Sequence, residues 1–221
     1  MKPAIWNFFI SQRSDKMHQI FPLPWELERC ALSLVNKLVK EELVDCLDSV
    51  SIYGWTEDDF LRKQNIESFV GSSKACFWHP SLGDWVIKVG FRDLSEDYAE
   101  VEYKTYLKAQ EHGLERYFPT TYFLGEFEET KFYLQQRAEY VPEEVHSKLI
   151  EKVSETGRYE SYTLAWDAAD NLEDDVRAML LFDDEVLVDF LLENCVNDLH
   201  EGNFGYINGE LVIIDFSGWR D

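Results

Sequence analysis

No stretch of the sequence approaches the ~20 apolar residues that a bilayer-spanning helix requires. Its first residues, MKPAIWNFFISQRSDK, lack the long apolar core of a secretory signal. Basic residues are scarce: 21 Lys and Arg stand against 43 Asp and Glu, for a net charge of −22. Such a surface repels nucleic-acid phosphates and anionic membranes, so neither is an expected partner. A nucleotide would need a local cation or a metal in this field. The four cysteines, Cys30, Cys46, Cys76 and Cys195, lie far apart and form no CxxC pair. That spacing excludes a zinc knuckle and a disulfide framework, and implies plain thiols in a reducing compartment. Internal repeats and low-complexity linkers are also missing. These absences lead us to expect a cytoplasmic protein.

What is present is material for a core. Hydrophobic residues make up 45% of the chain, and 7 Trp, 11 Tyr and 15 Phe are too many for a disordered one. A length of 221 residues suits one moderate domain or a two-lobed unit around a cleft. Residues 24–47 carry apolar side chains at helical spacing (Leu34, Val35, Leu38 among them) and predict an amphipathic helix bracing the main domain. From about Asn65 the pattern changes. Ile66–Val70, Ala75–Trp78 and Trp85–Val89 read as strands, separated by Gly71-Ser72-Ser73 and by a turn at 80–84. A helix is expected from Ser95, as N-cap, to His112, with Gly113 as its stop. Strands at Thr121–Glu126 and Phe132–Glu139 follow, and beyond Pro142 the pattern is mainly helical, with segments at 143–154, 171–181 and 184–195.

The chain closes on NDLHEGNFGYINGELVIIDFSGW, Asn197 to Trp219. Asn208-Gly209 is a strong two-residue hairpin signal, because both positions tolerate positive φ. Folding there brings Asn203, just before the first strand, towards Asp215, just after the second, with Asp198 nearby. Two carboxylates and an amide oxygen are hard ligands that suit Mg²⁺.

Asp198-Leu-His-Glu-Gly-Asn203, the hairpin and Asp215-Phe216 together resemble the catalytic loop and metal-binding motif of protein-kinase-like proteins. The wording is similar to aminoglycoside phosphotransferases and to short kinase-like proteins of bacteria and their phages. The resemblance covers roughly residues 62–221. It implies an α+β, two-lobed fold with a five-stranded antiparallel N-lobe over 62–141 and a truncated, mainly helical C-lobe over 142–221. Residues 1–61 would form an N-terminal helical extension. On this resemblance Asp198 is the catalytic base, and Asn203 and Asp215 hold Mg²⁺ on the phosphates of ATP. Val86-Ile87-Lys88-Val89 resembles the strand whose lysine contacts those phosphates. Gly71, Ser72 and Ser73 stand where a phosphate-covering loop lies, although only one glycine of the usual three is kept. Glu100 is the expected partner of Lys88, because Tyr103 and Leu107 continue its helical face; Glu102 is the alternative. Backbone groups around Glu139, Tyr140 and Val141 would meet the adenine edge.

Three departures accompany the resemblance. Val196 occupies the place, two before Asp198, where the family has a histidine. Ser217 is inserted into the run after Asp215-Phe216. The sequence stops at Asp221 without an activation segment or peptide-docking helices, so a conventional peptide-phosphorylating mode is not expected without a partner. The expected function is an ATP- and Mg²⁺-dependent phosphotransferase acting on a small-molecule or protein acceptor that the sequence does not name. The alternative is a pseudokinase, a kinase-like binding module without transfer activity. Nothing in the sequence singles out another ATP chemistry such as nucleotidyl transfer.

Overall fold

Five short strands rich in β-branched and aromatic residues build one antiparallel sheet. A computed structural model describes residues 23–40, 59–127, 129–139, 141, 185–196 and 203–217. The helices expected at 143–154 and 171–181, the segment 41–47 and residues 197–202 lie outside the described residues. The strands are β1 (Glu67–Val70), β2 (Lys74–Trp78), β3 (Trp85–Gly90), β4 (Thr121–Phe127) and β5 (Thr130–Gln136). They pair in the order β1-β2-β3-β5-β4, antiparallel throughout. The described chain is therefore α+β, with this sheet, a two-stranded hairpin and a few helices.

Helices α1 (Trp25–Lys40) and α2 (Asp59–Lys63) precede the sheet, and α3 (Tyr98–Glu111) separates β3 from β4. Ala31, Leu34, Val35 and Leu38 of α1 recur at helical spacing and are all buried. They share a core with Ala75, Phe77, Ile87, Val89, Phe132 and Leu134, so α1 braces one face of the sheet as its sequence suggests. Because side chains alternate along a strand, the residues between these point to the other face. No described helix is long and apolar enough to cross a membrane. Cys30, Cys76 and Cys195 are thiols, outside any disulfide.

The N-terminus of α3 is capped by Asp97 rather than by Ser95. Its Oδ1 accepts the backbone N–H groups of Ala99 and Glu100, both at 3.0 Å. Gly90 makes room for it: a Cβ there would sit 2.2 Å from Asp97 Oδ1. Burial pushes the Asp97 carboxyl above its ordinary range, opposed by the two capping bonds.

The chain divides into two compact units. The first comprises Met1–Tyr103 and Thr121–Gln136, the second Lys104–Thr120 and Arg137–Asp221. The first unit ends after β5 at Gln136, and within it α1 shares the core of the sheet. In the second unit α4 (Glu185–Glu193) buries Leu187, Phe190 and Leu191 beside Tyr117, Phe118, Val196 and Phe216. Strands β6 (Phe204–Ile207) and β7 (Glu210–Ile213) form the expected hairpin. Its turn residues Asn208 and Gly209 have φ of 55° and 82°, the left-handed pair that an Asn-Gly turn supplies at low cost.

Candidate functional site

The face of the sheet away from α1 carries Lys74 and Lys88. Register places Phe69, Cys76, Lys88, Tyr133 and Phe123 in one row across all five strands. Lys88 sits at its centre, flanked by Cys76 and Tyr133. Tyr133 stacks obliquely on Tyr103 of α3 and on Phe123, with ring centroids 5.4 and 5.5 Å apart. Burial pushes the Tyr133 phenol upward, and the Asp97 and Glu100 carboxylates add to the shift.

Lys88 is buried and its partner is Glu102, not Glu100. Lys88 Nζ lies 2.8 Å from Glu102 Oε2. Glu100 instead meets Lys131 at 2.6 Å, where both side chains are more than a quarter exposed. The phase of α3 explains the correction. Its buried residues include Ala99, Glu102, Tyr103, Tyr106 and Ala109, a stripe at i, i+3, i+4, i+7 and i+10 that Glu102 shares and Glu100 does not.

A second lysine, which sequence reasoning missed, reaches the same carboxylate. Lys74 Nζ lies 2.8 Å from Glu102 Oε1, and both side chains are almost wholly buried. Gln135 donates to Glu102 Oε2 at 3.4 Å and to Thr121 Oγ1 at 3.2 Å, which fixes the carboxylate from the β5 side. Only alternation marks Lys74 in the sequence: it lies two residues before Cys76, on the face that also carries Lys88.

The turn expected to cover phosphates is short. Gly71, Ser72 and Ser73 alone join β1 to β2; Gly71 and Ser72 are exposed, and Ser73 is buried. Gly71 donates its N–H to Lys74 O at 2.9 Å, and Phe91 N–H is bonded to Ser73 O at 3.1 Å. A Cβ at Gly71 would meet Lys74 O at an ordinary 3.6 Å, so the turn itself does not require glycine.

The segment expected to meet adenine is partly committed elsewhere. Glu139 donates its N–H to Tyr206 O at 2.7 Å and accepts from Tyr206 N–H at 3.0 Å. Both backbone groups of Glu139 thus take part in the bridge to β6. Gly205 permits this approach, since a Cβ there would lie 2.5 Å from Ala138 Cβ. Val141 is buried in the core of the second unit, and Tyr140 lies outside the described residues.

The hairpin does gather the ends that carry Asn203 and Asp215. Ile214 N–H donates to Asn203 O at 2.8 Å, which extends the ladder one step beyond the strands. Asn203 is buried and Asp215 half-buried. Ser217, the residue that interrupts the expected run, donates its hydroxyl to Asp215 Oδ1 at 3.1 Å and so orients the carboxylate. Phe216 between them is fully buried against Phe118, their ring centroids 4.9 Å apart. An amide and an oriented carboxylate at one hairpin end are donors of the kind Mg²⁺ accepts. Among the described residues no group of three or more His, Cys, Asp or Glu gathers as a metal site. Asp198, His200 and Glu201 lie outside the described residues.

A cavity of about 460 Å³ opens on the α1 side of the first unit, lined by Arg29, Cys30, Ser33, Lys37, His79 and Ser81. None of the residues singled out for a catalytic, phosphate-contacting or metal-holding role lines it. No protein-family model matches the chain, and no curated protein matches it.

Proposed function

We propose that the chain is an ATP- and Mg²⁺-dependent phosphotransferase with a protein-kinase-like fold, acting on a small-molecule or protein acceptor. The observation that carries this reading is the buried Lys88–Glu102 ion pair, made between the third strand of a five-stranded antiparallel sheet and the helix that follows it. Burying two ionised groups costs desolvation that their attraction seldom repays in stability, so such a pair points to use. Phe69 supports the same reading. Its ring is 49% exposed in the row that holds Lys88, an apolar surface suited to a base beside a cation suited to its phosphates.

On this reading Lys88 would orient the phosphates, and Asn203 and Asp215 would hold Mg²⁺, whose charge would offset theirs. Asp198 takes the proton of the acceptor hydroxyl as its oxygen bonds to the γ-phosphorus and ADP leaves. Positioning and electrostatics supply most of the rate in such transfer, so few residues suffice.

A second reading, nucleotide binding without transfer, is favoured by Val196. It is buried among apolar neighbours where the resembling families place a polar histidine. Thermal unfolding with Mg·ATP separates the first reading from no nucleotide function at all. We expect the midpoint to rise for the wild type and the rise to be lost in Asp215→Ala. No response of the wild type at millimolar nucleotide sinks both readings. Transfer from γ-labelled ATP, with Asp198→Ala as control, then decides between them.

A further inference from the structure

The cavity beside α1 shares no described residue with the Lys88 row and has a chemistry of its own. Arg29, Ser33 and Lys37 recur at i, i+4 and i+8 along α1, so they line up on one side of it. His79 and Ser81, from the connection between β2 and β3, complete the polar lining. Leu34 of α1 and Leu82 of that connection share one core, which holds the two segments together. Ser81 donates its backbone N–H to His79 Nδ1 at 3.1 Å, and its hydroxyl lies 2.7 Å from the same nitrogen. With Nδ1 accepting, the neutral ring carries its proton on Nε2 and is a donor there. Burial, and then the Lys37 ammonium, hold His79 below its ordinary range, so the field of that lysine reaches the ring. Arg29 is exposed and Lys37 half-buried, and among the described residues neither makes an ion pair. The described lining contains no Asp or Glu, in a chain where 43 acids stand against 21 Lys and Arg.

We propose that this cavity binds a small phosphate monoester, with Arg29, Lys37 and His79 as its contacts. The inference is independent of the nucleotide reading above. Two permanent positive charges match a phosphate monoester, which carries about −1.5 to −2 at pH 7. Arg29 offers a planar fork of donors, Lys37 a movable point charge and His79 one N–H. The volume of about 460 Å³ falls within the range of roughly 300–1,000 Å³ typical of small-molecule sites, so an organic group fits beside the phosphate. Leu34, which is buried, and Cys30 give that group an apolar wall. The net charge of −22 decides the size of the partner. A nucleic acid or an anionic membrane would bring further charges against the acidic remainder of the surface, whereas a small ester brings one phosphate to the place where cations gather.

Titration calorimetry of the full chain with glycerol phosphate tests this, at low ionic strength where exposed charges are least screened. Succinate serves as the carboxylate control. The wild type is expected to bind the ester and to bind succinate more weakly. Arg29→Gln and Lys37→Gln are each expected to weaken the ester roughly tenfold, and Lys37→Arg to retain most of the affinity. Lys40→Gln removes the same charge from an exposed position at the end of α1, outside the lining, and is expected to change binding by less than about twofold. Equal weakening by Lys40→Gln and Lys37→Gln overturns the inference, because net charge alone would then explain the affinity. A wild type that binds no ester at millimolar concentration also overturns it. Succinate bound as tightly as the ester overturns the assignment to phosphate. Arg29 and Lys37 are replaced separately, so that a variant that fails to fold leaves the other to decide.

Discussion

The two faces of the five-stranded sheet are made by the same strands and do opposite things. On the α1 face, Ala75, Phe77, Ile87, Val89, Phe132 and Leu134 join the helix in an apolar core. One residue out of phase, Lys74, Lys88 and Gln135 gather round Glu102. Burial on the first face is repaid by the hydrophobic effect. On the second it costs desolvation, which an ion pair offsets incompletely. A strand that spends half its side chains on stability can hold the other half for a ligand. Glu100 and Glu102 repeat the contrast within one helix, because two residues of separation turn a surface pair into a buried anchor.

The largest effect is expected at the anchor. Glu102→Ala removes the carboxylate that bridges two buried lysines and should cost about 3–5 kcal/mol in chemical denaturation. Replacing the whole cluster, as Lys74→Met with Lys88→Met and Glu102→Leu, should recover most of that loss while abolishing nucleotide binding. A triple variant as unstable as Glu102→Ala would show that the polar face serves the fold rather than a ligand.

A smaller effect is expected where α3 meets the sheet. Gly90→Ala drives a Cβ into Asp97 and should cost about 1–3 kcal/mol. Combined with Asp97→Ala, the loss should be less than additive, because the obstructing carboxylate is gone. The folded Asp97 carboxyl titrates above its unfolded value, so the folded state favours the protonated form. Its contribution to stability therefore falls as pH rises from the ordinary aspartate range through the raised value. Asp97→Asn keeps a capping oxygen and should remove that slope. An unchanged slope in the variant assigns the pH dependence to another group.

The smallest effect belongs to Glu100. Its pair with Lys131 is partly exposed, so Glu100→Gln should cost under about 1 kcal/mol and leave nucleotide affinity unchanged. A loss of nucleotide binding there, with Glu102→Gln silent, would reverse the assignment of the two glutamates.

The sequence alone made much of this readable. Short β-rich runs between turn residues marked the five strands, the Asn-Gly turn marked the hairpin, and helical periodicity marked α1 as a brace. These signals are local: each depends on residues within a few positions, which backbone sterics and solvent act on directly. Lys88 was legible for the same reason, as one cation within an apolar strand.

What the sequence left open depended on phase and on contacts across distant segments. Glu100 and Glu102 lie two residues apart on α3, so only packing on the sheet decides which one is buried. Lys74 gains its meaning from cross-strand register, and Glu139 is bridged to Tyr206, 67 residues further on. Ser217 reads as an interruption until its hydroxyl is seen on Asp215. Local pattern determined which elements form. Tertiary structure decided which polar groups share a carboxylate, because that follows from how the elements are laid together.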